Sequence, residues 1–190
     1  MVMTQSRMLP LGTTAPDFSL PDPAGKLHGL KDFADSRALL VAFICNHCPY
    51  VKHILDGLAQ FARDYLAQGV SVVAINSNDA SRYPEDSPAN MAKLAAQKGF
   101  NFPYLYDASQ AVAKAYQAAC TPDLYLFDQA RRLVYRGQFD ASRPGNKQPV
   151  TGADLRAAAD AVLAGRAIKE QIPSVGCNIK WKAGQEPVWA

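Results

Sequence analysis

Residues 38–44, ALLVAFI, are an unbroken apolar run. A strand with one wet face alternates polar and apolar residues, so a continuous run of this length reads as a central strand buried on both faces. Directly after it, Val51, Ile54, Leu55, Leu58, Ala62 and Tyr65 recur at helical spacing. Gly69 then stops the helix, as a left-handed C-terminal cap does. VSVVAIN (70–76) follows as a second buried strand. A buried strand, a covering helix and another buried strand can be satisfied only in a layered α/β arrangement.

The alternation continues. A polar loop, SNDASRYPEDSP, leads to a predicted helix over 89–98, a short strand at FPYLY (102–106) and a helix over 108–118. DLYLFD (123–128) and RLVYRGQF (132–139) read as neighbouring strands joined by a turn at Asp128 to Arg131. Thr151-Gly-Ala-Asp154 opens the last helix with a capping-box-like pattern, Asp standing for Glu. Leu155, Ala159, Val162 and Leu163 give that helix its apolar face, and Gly165 ends it. Upstream, residues 15–31 read as two short strands around a Pro-Ala-Gly turn. The expected architecture is one α/β domain over 1–190, with helices on both faces of the sheet. Its core spans about 11–165, and the tail 166–190 shows no clear period.

With 190 residues, 48% of them hydrophobic, the chain can bury a core without covalent staples. Twenty basic against 17 acidic residues give a net charge of +3 with no basic stripe, so neither nucleic acid nor an anionic membrane is an expected partner. The opening MVMTQSRMLPLG lacks the apolar stretch of a signal peptide, and no stretch reaches the ~20 apolar residues of a membrane span. A cytoplasmic location is expected. There, four cysteines (Cys45, Cys48, Cys120 and Cys177) point to catalysis, a metal or inert burial rather than to structural disulfides.

Cys45 and Cys48 stand in FICNHCPYVKH, at the seam between the central strand and its helix. A helix N-terminus favours negative charge, and the thiolate is the nucleophile of disulfide chemistry. Two intervening residues let a helical turn bring both sulfurs within bonding distance. As a cation, His47 is expected to stabilise a Cys45 thiolate and move the couple toward the oxidising end of the range from about −270 to about −120 mV. The competing reading is zinc, which takes four ligands and usually a second close pair. Cys120, Cys177, His28 and His53 are each isolated, so no resident metal is expected. Thr121-Pro122 stands directly before a buried-looking strand, where proline is confined to an edge or to the strand's start. On the residues alone its peptide bond is either a trans bond at a loop end or a cis bond in a tight approach.

Together these motifs resemble the AhpC/TSA (redoxin) family of the thioredoxin-like fold, in its peroxiredoxin-related branch. LGTTAPDFSLPDPAGK (11–26) looks like that family's N-terminal hairpin, FICNHCPYVKH occupies the place of the thioredoxin CxxC, and CTPDLYLFD (120–128) that of the cis-proline loop. The chain is most similar to peroxiredoxin-like proteins carrying CNHCPYV and a tail like PSVGCNIKWK (173–182). The resemblance implies a central mixed β-sheet flanked by helices, with an N-terminal β-hairpin and a C-terminal tail. It implies a cis Pro122 facing the sulfurs, with Thr121 and Pro122 offering backbone groups to an extended substrate chain. By thioredoxin, Cys45 is the exposed, attacking cysteine and Cys48 the buried, resolving one. By peroxiredoxin, Cys48-Pro49 matches the peroxidatic cysteine and Cys45 replaces its hydroxyl residue. The peroxiredoxin arginine aligns near Pro122, so Arg136 or Arg143 substitutes only if the fold brings it in.

The implied activity is thiol–disulfide exchange by the Cys45/Cys48 couple, supported by Asn46, His47, Pro49, Thr121 and Pro122. The alternatives are a thiol peroxidase of antioxidant function and a copper- or zinc-handling protein. Expected partners are protein or small-molecule disulfides, or peroxide, together with a thiol reductant. No cofactor is expected. Cys120 and Cys177 are candidate additional redox thiols, Cys177 by a tail that folds back, with Ile179 and Trp181 as its apolar anchors.

Overall fold

The computed structural model describes residues 3–168 and 170–189. In chain order its elements are β1 (Met3–Gln5), β2 (Ser19–Pro21), β3 (Leu27–Gly29), β4 (Ala38–Phe43), α1 (Pro49–Leu66), β5 (Val70–Asn76) and α2 (Pro88–Lys98). Then come β6 (Tyr104–Tyr106), α3 (Ala111–Ala115), β7 (Cys120–Thr121), β8 (Asp123–Asp128), β9 (Leu133–Gly137), α4 (Ala153–Leu163) and β10 (Val175–Asn178). The main sheet has the order β6-β5-β4-β8-β9. It is mixed, because β4, β5 and β6 run parallel while β8 and β9 are antiparallel to their neighbours.

Every residue of β4 is buried, as its unbroken apolar run requires. The period of two divides them between the faces. Leu40, Ala42 and Ile44 join α1, α2 and α4 through Leu55, Leu58, Met91 and Leu155. Leu39, Val41 and Phe43 meet Phe18, Tyr116, Tyr125, Ile179 and Trp181 on the other face. The β2–β3 hairpin forms where the Pro-Ala-Gly turn places it.

Three expectations change. The helix over 108–118 shortens to α3 because Gln110 and Gln117 both adopt left-handed backbone, with φ of 62° and 51°, and bracket it. The capping box before α4 does not form. Its N-cap is Gly152 at φ 67°, Asp140 accepts the N–H groups of Thr151 and Gly152, and Asp154 instead accepts from Gln138. The tail is ordered by pairing: β10 lies between β1 and β7, and Ile179 and Trp181 are buried against the sheet. Among the described residues no helix is long and apolar enough to cross a membrane.

Candidate active site

β4 ends at Phe43 in the middle of the sheet, so the loop after it emerges at the C-terminal edge of the parallel strands. Cys48 is the N-cap of the 18-residue α1 and Pro49 its first residue. Proline suits that place because its missing N–H would have had no partner inside the helix. Cys45 therefore lies in the loop ahead of the helix, and the two sulfurs are not joined by a helical turn as their spacing suggests.

The second wall is the link between β7 and β8, where the Thr121–Pro122 bond is cis. Thr121 reaches both cysteines: its Oγ1 is 3.3 Å from Cys45 Sγ, and its carbonyl oxygen is 3.1 Å from Cys48 Sγ. The third wall is the tail. β10 pairs antiparallel with β7, setting Cys177 opposite Thr121, and Cys177 Sγ lies 2.9 Å from Cys48 Sγ. The backbone groups of Thr121 that an extended substrate was expected to use are therefore taken by this chain's own strand. Gly176 permits the approach, since a Cβ there would fall onto the Thr121 carbonyl oxygen and lie 2.6 Å from its carbon.

The expectation of an exposed Cys45 is corrected. Cys45 is 1% exposed, Cys48 0% and Cys177 2%. Burial pushes the Cys45 thiol well above its ordinary range, helped by its hydrogen bond to Cys48 and the charge of Asp86. The Cys48 thiol is held well below that range, first by its hydrogen-bonding contact with Cys45 and then, against the cost of burial, by its contact with Cys177. The Thr121 carbonyl opposes this, since it accepts a thiol proton and repels a thiolate. The neighbouring thiols and the positive end of a long helix act against that carbonyl. Of the three thiols, Cys48 is the one shifted toward the thiolate, whereas burial and the contact with Cys48 push the Cys177 thiol up.

His47 is engaged by Asp86, beside Cys45. Its Nδ1 is 2.6 Å from Asp86 Oδ2, and this bond raises the imidazole above its ordinary value. The ring stacks on Tyr83. Asp86 is fully buried and also accepts the backbone N–H of Asn46 at 2.7 Å and the Asn78 side-chain amide at 2.7 Å. Asn46 completes the anchorage by donating to the Glu85 carbonyl and accepting from Tyr104. Asp86 escaped sequence reasoning. Nothing in the polar loop distinguishes it from Asp79 or Glu85, and its partner lies 39 residues away.

Donor atoms of Cys45, His47 and Asp86 lie within 4.8 Å of one another. Both Asp86 oxygens are already engaged by N–H donors, so the trio as it stands is a hydrogen-bonded anchor rather than a set of open ligands.

A model of the AhpC/TSA family matches residues 11–136. The chain belongs to the AhpC/TSA family. A solved hypothetical protein from Sinorhizobium meliloti 1021 shares 60% identity with it at a TM-score of 0.94, over 95% of this chain and 100% of that one. The thiol-disulfide oxidoreductase ResA of Geobacillus thermodenitrificans is 27% identical over 126 residues, 66% of this chain and 68% of its own. Alkyl hydroperoxide reductase E of Mycobacterium tuberculosis is 28% identical over 165 residues, 83% of this chain and 98% of its own.

Within this AhpC/TSA frame the arginine question has an answer. Arg143 lines a crevice with Tyr50, Pro122 and Val175 but donates to Gln138, Asp140 and Ser142. Arg136 turns to Gln171. Among the described residues no arginine hydrogen-bonds Cys45 or Cys48. Cys120 is buried with its sulfur toward the carbonyls of Pro122 and Ser174, and burial pushes its thiol well up.

Asp123, one residue past the cis-proline, is fully buried, and burial pushes its carboxyl up to about 6. Its Oδ2 accepts from Ala119 N–H and Tyr125 Oη, and the Ser6 hydroxyl nearby also opposes the rise. A folded-state value above the unfolded one means this group's contribution is most favourable below about pH 4 and is lost as pH rises to about 6. Asp123→Asn, neutral and isosteric, is therefore expected to gain stability over the native chain above pH 6, by up to roughly 3 kcal/mol. Urea unfolding at pH 4 and pH 8 measures it; an equal difference at both pH values contradicts the assignment.

Proposed function

We propose that this chain is a thiol–disulfide oxidoreductase in which the Cys48 thiolate attacks a disulfide and a neighbouring thiol of the cluster releases the product. Cys45, three residues away in the CxxC, is the couple's second thiol. The observation that carries this reading is the placement of Cys48 at the mouth of α1, hydrogen-bonded by two thiols and facing the cis-proline loop. ResA among the relatives supports it. Attack forms a mixed disulfide on Cys48 and expels one substrate thiolate; attack on Cys48 Sγ by a second thiol expels the other. The chain leaves as a disulfide and the substrate as two thiols, and an external thiol reductant returns the chain to its starting state. A reducing compartment such as the cytoplasm would suit this cycle, since it supplies the thiol reductant.

Peroxide reduction is the second reading, favoured by the alkyl hydroperoxide reductase relative and by the Thr121 hydroxyl beside Cys45. Such chemistry needs developing charge on the peroxide oxygens to be stabilised, and among the described residues no arginine hydrogen-bonds the couple. Serine variants at Cys45 and Cys48, assayed separately on oxidised glutathione and on hydrogen peroxide, decide between the two. Cys48→Ser is expected to lower disulfide turnover by about a thousandfold or more. Peroxide consumption that is fast, and that needs Cys48 but not Cys45, would make the chain a peroxidase. One metal equivalent retained through purification, and lost with Cys45→Ser, would favour metal handling instead.

A further inference from the structure

We propose that Cys177 is the resolving thiol of this site, delivered to Cys48 by a tail strand that sits where an extended substrate chain would lie on the cis-proline loop. The inference deepens the proposed activity and rests on Cys48 being its nucleophile.

Three observations carry it. The first is distance. Cys177 Sγ is 2.9 Å from Cys48 Sγ, so an S–S bond of about 2.05 Å needs them to close by less than roughly 1 Å. The second is register: the β7–β10 pairing sets Cys177 opposite Thr121, and Gly176 is the residue whose missing side chain admits the Thr121 carbonyl. The third is clamping on both sides of the sulfur. Before it, Ser174 donates its hydroxyl to the Gly137 carbonyl and accepts the N–H of Ser6. After it, Ile179 N–H bonds the Ala119 carbonyl, Lys180 N–H bonds Asn78 Oδ1 and Gln110 holds the Lys180 carbonyl. Undocking of this strand admits a substrate to Cys48, and its redocking returns Cys177 to contact distance with the advantage of an intramolecular reaction. Cys45 also contacts Cys48, but it is hydrogen-bonded to the Thr121 hydroxyl and its thiol is pushed further up by the charge of Asp86.

The chemistry balances. Cys48 thiolate attacks a disulfide R–S–S–R, forming Cys48–S–S–R and expelling R–S⁻. The Cys177 sulfur then attacks Cys48 Sγ, the second R–S⁻ departs, and the proton of Cys177 passes to a departing thiolate. The chain has lost two electrons as the Cys48–Cys177 disulfide, and the substrate has gained them as one thiol and one thiolate, the latter taking its proton from water.

The test uses the full reduced chain with an equimolar amount of oxidised glutathione, quenched with acid, alkylated and mapped by mass spectrometry. The first disulfide is expected to be Cys48–Cys177, both in the native chain and in Cys45→Ser. In Cys177→Ser the Cys48–glutathione adduct is expected to persist at least about tenfold longer. Cys45–Cys48 as the first product, with Cys177→Ser resolving its adduct at the native rate, overturns the proposal and leaves the oxidoreductase reading standing. A chain in which Cys48 forms neither adduct nor disulfide overturns that reading, and the proposal with it. Mapping of the native chain needs no substitution, so a variant that fails to fold does not decide the matter.

Discussion

Replacing Asp86 with alanine is expected to destabilise the fold by about 3 kcal/mol and to dissolve the geometry of the CxxC loop. The carboxylate is fully buried and serves three donors: the His47 ring, the Asn46 backbone and the Asn78 amide. Alanine leaves all three without an acceptor in a place water does not reach. Asn78 is also the residue whose Oδ1 accepts from Lys180, so the damage spreads to the tail. Asp86→Asn is a gentler probe. It keeps the shape, removes the charge and lets the His47 imidazole fall back toward its ordinary value, which a proton NMR titration reads. The pH dependence has two edges. His47 is raised by Asp86, so its contribution is complete below about pH 6.5 and is lost as pH rises through the folded value. Burial opposes ionisation of Asp86, but His47 and Asn78 hold it below its ordinary value, so its contribution is lost as pH falls below about 3.9. The bond should thus stabilise most between these limits. An Asp86→Ala chain within 1 kcal/mol of the native one across this window contradicts the account.

Gly176→Ala is expected to separate β10 from the cis-proline loop. The added methyl would meet the Thr121 carbonyl oxygen and stand 3.1 Å from Pro122 N. These are backbone atoms of a buried turn and cannot step aside as a side chain could. Overpacking of this kind costs about 1–3 kcal/mol when neighbours relax, and more when they do not. Among the described residues β1 pairs with β10 alone, so it loses its partner as well. The sulfurs would then meet solvent. Thiol titration of the native-state chain should show Cys48 reacting at least about tenfold faster in the variant, in proportion to the time the strand spends undocked. Unchanged reactivity together with unchanged stability would mean that β10 does not gate the cluster.

Much of this molecule is written in local pattern. The unbroken run at 38–44 states that β4 has no wet face, and the 3.6-residue repeat after it states which face α1 buries. Pro49 and Gly69 mark where that helix starts and stops. The two cysteines therefore sit at a strand-to-helix seam for reasons a reader of the chain can reconstruct. The cis bond at Pro122 comes from the family resemblance, since a Thr-Pro pair before a strand is compatible with either isomer.

Local pattern failed where the deciding partner is distant. β10 is four residues long and contains a glycine, too short and too interrupted to show alternation, and it exists because β1 and β7 each lend it an edge. Asp86 looks like any acid of a polar loop until the fold closes the 39 residues between it and His47.

What the sequence determined by itself was the layered α/β frame and the address of the CxxC, because periodicity and helix punctuation are properties of neighbouring residues. Which sulfur holds the negative charge, and which thiol stands next to it, was decided by the tertiary structure alone. A thiol's acidity depends on the donors and charges within a few ångströms, and here a sulfur 2.9 Å from Cys48 comes from 129 residues away.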